Sequence, residues 1–175
     1  MSTELTINRP HDFPIRNRIY QTAGIFIAGT CILWALINIP WIITYLINPI
    51  SLSLAWIVTA MLNLLGEPVH QMGVFVSSSM INLEVTPACT GIYQIVVLVT
   101  GLVAWSTTGR ERSRGILAGI FLLMSINIFR ILSIYYSILI IPEWVPFIHG
   151  VFWEGLMVLF VPLFWIYRVG RIEGD

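Results

Sequence analysis

One cysteine in the chain stands where a thiol could react. In Val85-Thr86-Pro87-Ala88-Cys89-Thr90-Gly91-Ile92 a polar connecting segment gives way to a long apolar run. Thr86 can cap a helix, and Pro87 suits the first helical position, where a missing N–H is harmless. That reading puts Cys89 in the first turn, at the positive end of the helix dipole, which favours the reactive thiolate. A cysteine in an apolar chain is more often a small hydrophobe than a nucleophile, so its neighbours must decide. Cys31, the second cysteine, has no polar neighbour that could activate it and reads as packing.

Arg130 is the second residue with chemical promise. A charged side chain inside an apolar span costs roughly 2.5–3.5 kcal/mol on insertion scales, which makes it a functional hypothesis by default. Asn127, Arg130, Ser133 and Ser137 follow steps of three, three and four, so they share one helical stripe facing the bundle interior. The plainer readings are an arginine that snorkels to the headgroups, or one that pairs with Glu154 for structure. His149 opens the last apolar run; a lone histidine at a membrane boundary is usually a polar anchor. Beside a thiol it has another use, taking the thiol proton and later protonating a leaving amine. The guanidinium, with the amides of Thr90 or Gly91, could then stabilise the oxyanion of a tetrahedral intermediate.

Glu84, on the polar face of a strand-like stretch leading to Cys89, is the supporting acid. Glu154 follows His149 by five residues, which in an α-helix turns it roughly 140° away. It is therefore a possible partner of Arg130 and not the group that orients His149. His70 and Glu67 lack a further ligand nearby, so no metal site is expected and no cofactor is needed.

The elements that position these residues follow from composition. The chain has 175 residues, 57% hydrophobic and only 10% charged, against about 25% charged in soluble domains. The expected fold is an all-α polytopic membrane protein, a bundle of about five apolar helices with a small β-hairpin-like outer lid over residues 67–88. Residues 1–18 form a polar lead, 19–167 a single transmembrane helical domain, and 168–175 a cytoplasmic tail. The apolar segments run from about 20 to 40, 50 to 66, 90 to 106, 115 to 140 and His149 to about Tyr167, with a turn at residues 141–146. Within the lid, Val74–Val76 and Ile81–Val85 read as two strands, the second alternating Ile81, Leu83 and Val85 against Asn82, Glu84 and Thr86. The first apolar stretch is too long for a signal-peptide core and reads as an uncleaved span.

Composition also excludes. A formal charge of zero offers no electrostatic case for nucleic acid. There is no lysine, so a lysine nucleophile is impossible, and two cysteines make no disulfide framework. By the positive-inside rule, the Arg110-Glu111-Arg112-Ser113-Arg114 loop and the arginines of the C-terminal tail are cytoplasmic. Residues 67–88, Cys89 and His149 then share the outer, extracellular face of the cell membrane. The arginines of the lead leave two arrangements open. Either the N-terminus is outside, or one of the two early apolar segments does not span.

Ala88-Cys89-Thr90-Gly91-Ile92, Asn127-x-x-Arg130 and His149 at the head of the final span resemble the exosortase/archaeosortase family, in a form closer to its archaeal branch. Leu64-Leu65-Gly66-Glu67-Pro68-Val69 belongs to the same resemblance, which covers about residues 55–165. It implies a membrane-embedded cysteine transpeptidase with Cys89 as nucleophile, Arg130 as transition-state stabiliser and His149 as general acid/base. The implied substrates are secreted proteins ending in a recognition motif, a transmembrane helix and a basic tail. An amine, a lipid headgroup, is the implied acceptor. The contrasting class is a non-catalytic membrane protein, a small transporter or assembly partner, in which Asn127 and Arg130 form a structural stripe and Cys89 is passive.

Overall fold

In a computed structural model the protein is helical apart from one small sheet; residues 12–105 and 108–173 are described. Helix α1 (Asp12–Ile37) ends where Asn38 turns its side-chain amide back onto the Trp34 carbonyl. Pro40 then opens α2 (Pro40–Ile42), which runs through a π turn (Ile43–Ile47) into α3 (Asn48–Leu64). The wide turn has a local cause. The ring of Pro49 crowds the carbonyl four residues back, at Tyr45, and a π turn at that point relieves the clash.

Three short strands follow, β1 (His70–Met72), β2 (Phe75–Ser77) and β3 (Asn82–Glu84), as an antiparallel meander in that order. The expected two-stranded lid therefore has a third member. β1 carries no local signal, since His70, Gln71 and Met72 have no strand-like alternation, and pairing with β2 holds them extended. The alternation of the last strand holds, with Ile81 and Val85 buried and Asn82 and Glu84 exposed.

Helix α4 (Ile92–Ala104) descends from the sheet, and α5 (Gly109–Ile140), capped by Thr108 at the Glu111 amide, climbs back. Ser106 and Thr107, expected at the end of the third apolar run, lie outside the described residues, as do residues 1–11 of the lead. The stretch expected as a turn at 141–146 is helical instead. A 3₁₀ turn (Pro142–Trp144) and α6 (Val145–Phe147) lead through a second π turn (Ile148–Trp153) into α7 (Glu154–Glu173).

Contacts fix how these helices run. Glu111 at the foot of α5 holds Arg168 near the end of α7, through its carbonyl at 3.0 Å and its carboxylate at 3.4 Å. At the other end Arg130 of α5 meets Glu154 of α7, so the two are antiparallel. Helix α1 is antiparallel to α4: Phe26 lies by Gly101, Thr30 bonds Thr100 at 2.8 Å, and Ile37 packs on Val96. The N-terminal end of α1, where positions 16 and 18 are arginine, therefore shares an end with the 110–114 charge cluster and with Arg168. The run Pro40–Leu64 begins beside Val96 and ends where Leu62 packs with Val69, Ile131 and Tyr135. Long and apolar as it is, it does not return to the arginine end. Four of the described helices are long and apolar enough to cross a membrane, Pro40–Leu64 among them, and that run packs against the sheet.

Two cores result. One, formed by α3, the sheet and the upper part of α5, includes Val58, Val76, Val85 and Tyr135, with Cys89 packed at its edge. The other joins α4, α5 and α7 through Leu98, Leu123 and Met157. Close approach in the second depends on Gly119, where an added Cβ would lie 2.6 Å from Leu98 Cδ2 and 3.0 Å from Phe164 Cε1. Gly119→Ala is expected to destabilise the bundle by about 1–3 kcal/mol, the usual range for overpacking. Thermal unfolding of the purified protein in detergent measures it.

Candidate active site

Cys89 lies in a 3₁₀ turn (Pro87–Thr90) that is not the first turn of α4. Gly91 separates the two in the left-handed conformation, with φ of 72°, a conformation that glycine adopts freely. A side chain at 91 would also meet Met124, Asn127 and Met157, its Cβ at 3.5–3.7 Å from each. The expectation that the dipole of the long helix activates Cys89 is corrected accordingly, because the chain is broken between them. Thr86 occupies the cap position with extended backbone, but its hydroxyl caps no amide. It donates to Cys89 Sγ at 3.4 Å. Thr90 is buried; its hydroxyl donates to the Pro87 carbonyl at 2.6 Å and accepts from the Ile92 amide at 3.3 Å, so it ties the turn to α4.

The α5 stripe faces this turn. Asn127, fully buried, donates its side-chain amide to the Cys89 carbonyl, while its Oδ1 has no partner. One helical turn further, Arg130 is 1% exposed, and its Nη2 meets Glu154 Oε1 at 2.7 Å. Its Nε and Nη1 are buried without a hydrogen-bond partner. Beyond it, Ser133 donates to the Arg130 carbonyl and accepts from Trp153 Nε1 at 2.6 Å. Thus Cys89, Thr90, Gly91 and Asn127 form one contacting group, with Arg130 stacked next to it on α5.

His149 and Glu84 are not bonded into this group. His149 is half-buried on the second π turn and makes no hydrogen bond. The turn revises its relation to Glu154. In a π turn the repeat is i to i+5, which swings positions 149 and 154 toward one face. The α-helical estimate of roughly 140° does not apply. Glu84 is exposed on β3 and does not hydrogen-bond Cys89; it lines a separate groove beside Thr86 and Pro87. Residues that the sequence reading passed over include Thr86 as a donor to the thiol and Tyr135, fully buried with its hydroxyl unpaired in the core that Cys89 borders. Asn127 sits at i, Ile131 at i+4 and Tyr135 at i+8, a helical signal that could have found the tyrosine.

Depth matters to the chemistry. The 13 residues of α4 rise about 20 Å, less than the roughly 30 Å of a hydrocarbon core. Cys89 therefore lies about one such helix length from the charged end, under the sheet and beside the upper part of α5. A cavity of about 1090 Å³ opens at the arginine end among α1, α4 and α7, and contains neither Cys89 nor Arg130.

A thiol on a turn that Asn127 holds from behind, with a buried cation bearing two unpaired donors on the same helix as Asn127, has the residue types that acyl chemistry requires. The model of the transmembrane exosortase family matches residues 20–167, nearly the whole chain. The chain belongs to the transmembrane exosortase family. No curated protein and no solved structure matches it. Membership supports a membrane transpeptidase-type function in general terms, and the family match spans every residue of the constellation just described.

Proposed function

We propose that this exosortase-family protein is a membrane-embedded cysteine transpeptidase that cleaves the C-terminal sorting signal of secreted proteins. The observation that carries the reading is Arg130. A purely structural arginine would have its buried donors satisfied, since an unpaired buried polar group is costly. Here Glu154 takes Nη2 alone, and Nε and Nη1 are left unused one turn from the nucleophile's clamp.

The course is as follows. His149, directly or through one water, takes the Cys89 proton, and the sulfur attacks the scissile carbonyl. The carbonyl oxygen becomes an oxyanion, to which Arg130 donates. Collapse breaks the C–N bond, the leaving amine takes the proton from His149, and a thioester remains on Cys89. An amine acceptor, a lipid headgroup, attacks the thioester and forms a new amide, returning the thiol. Water in the acceptor's place would make the same machinery a protease. The substrate arrives laterally, with its helix in the bilayer.

The site is assigned to the extracellular face because all three arginine-bearing stretches lie at the opposite end. Ser79→Cys, in the turn between β2 and β3, should react with a membrane-impermeant maleimide in intact cells, whereas Ser113→Cys should react only after permeabilisation. The reverse pattern removes the assignment. The reaction itself is tested by replacing Cys89 with Ala and with Ser and following cleavage of a secreted reporter that carries a helix and a basic tail.

A further inference from the structure

Beside the nucleophile's turn, between α3 and the sheet, runs a groove of about 420 Å³ that the proposed chemistry does not use. Asn48, Ser51 and Leu52 form one wall. The Gly73–Val74 turn and the residues leaving β3, Glu84 to Pro87, form the other. Thr86, whose hydroxyl donates to Cys89 Sγ, belongs to that second wall, so the groove runs next to the thiol, which does not itself line it. The walls are tied together by Gln71, whose side-chain amide donates to the Leu52 carbonyl at 3.1 Å and the Gly73 carbonyl at 2.8 Å. The groove is therefore preformed, which lowers the ordering cost of whatever binds.

Two features specify the occupant. Ser51 is 1% exposed, lines the groove and has a hydroxyl with no partner. A lipid tail would leave that hydroxyl unsatisfied, whereas a polypeptide backbone supplies both donors and acceptors. Glu84 is the one ionisable residue of the lining and is exposed at the rim. Its charge disfavours anionic headgroups and acidic side chains and favours a basic one.

We infer that this groove is a substrate-recognition subsite, binding an extended segment next to the scissile bond and preferring Lys or Arg at the position that meets Glu84. The inference rests on the peptidase reading above, and its test separates the two. A secreted reporter carrying a short randomised segment, a transmembrane helix and a basic tail is co-expressed with the full-length protein, and cleaved and uncleaved pools are sequenced. The wild type should enrich basic over acidic residues at one position by about two- to fivefold, the worth of a partly exposed ion pair. Glu84→Gln should flatten that preference, and Glu84→Arg should invert it. If Cys89→Ala abolishes cleavage but residue frequencies are the same in all Glu84 variants, the subsite is wrong and the peptidase reading stands. If Glu84→Arg depresses every library member alike and also slows alkylation of Cys89 by a small neutral reagent, its effect is on folding and the subsite is again wrong. Cleavage that survives Cys89→Ala removes the peptidase reading itself.

Discussion

Replacing Cys89 with Ala should reduce reporter cleavage by at least about a thousandfold, the scale on which loss of a covalent nucleophile is felt. Ser at the same position should do little better, because an alcohol in place of the thiol stays protonated far above neutral pH and His149 has no fixed partner to strengthen it as a base. Both variants should fold. The turn is held through the Cys89 carbonyl by Asn127 and through the Thr90 hydroxyl, contacts that neither substitution removes. The half-buried sulfur contributes only a 3.4 Å contact with Thr86 and a place at the edge of a core. A positive counterpart is available. Wild-type protein given reporter without an amine acceptor should accumulate an adduct on Cys89, seen by intact mass and discharged by hydroxylamine. Cleavage that persists in both variants would return Asn127 and Arg130 to the role of a packing stripe.

What could be read from sequence was whatever a local period encodes. The stripe of Asn127, Arg130, Ser133 and Ser137 on α5 is buried or half-buried throughout, as a 3.6-residue repeat demands. The alternation of Ile81, Leu83 and Val85 likewise marks the inward side of β3 and its flanks, Ile81 and Val85 buried and Leu83 half-buried. Features set by long-range contact did not show. The α2–α3 run is long and apolar enough to cross a membrane, and hydropathy does not show that it packs on the sheet. The contacts of Phe26 with Gly101, of Thr30 with Thr100 and of Ile37 with Val96 set α1 antiparallel to α4. The break at Gly91 was legible in principle, since a glycine after Thr90 is a usual helix stop. The apolar run that follows concealed it. The π turn at His149 had no such signal, and with it the angular argument separating His149 from Glu154 fails.

Arg130 should separate catalysis from architecture, because its two functions use different nitrogens. Arg130→Lys keeps a cation that can meet Glu154 but removes the planar fork, and with it the donors at Nε and Nη1. Turnover should fall by about a hundred- to a thousandfold, the effect of losing an oxyanion donor, with KM little changed. Glu154→Gln should do the opposite. It leaves Arg130, 1% exposed, without its counter-charge. Removing one partner of a fully buried pair costs about 3–5 kcal/mol. The Glu154 side chain is 42% exposed, so water can take over part of its role and a smaller loss, about 2 kcal/mol, is expected. The stability of this variant in detergent should drop while the properly folded fraction still turns over, though more slowly if the guanidinium drifts. The contrast is the test. Should Arg130→Lys retain full turnover while Glu154→Gln unfolds, the arginine is there to hold α5 against α7, and the oxyanion must find its donors in the backbone of the Cys89 turn instead.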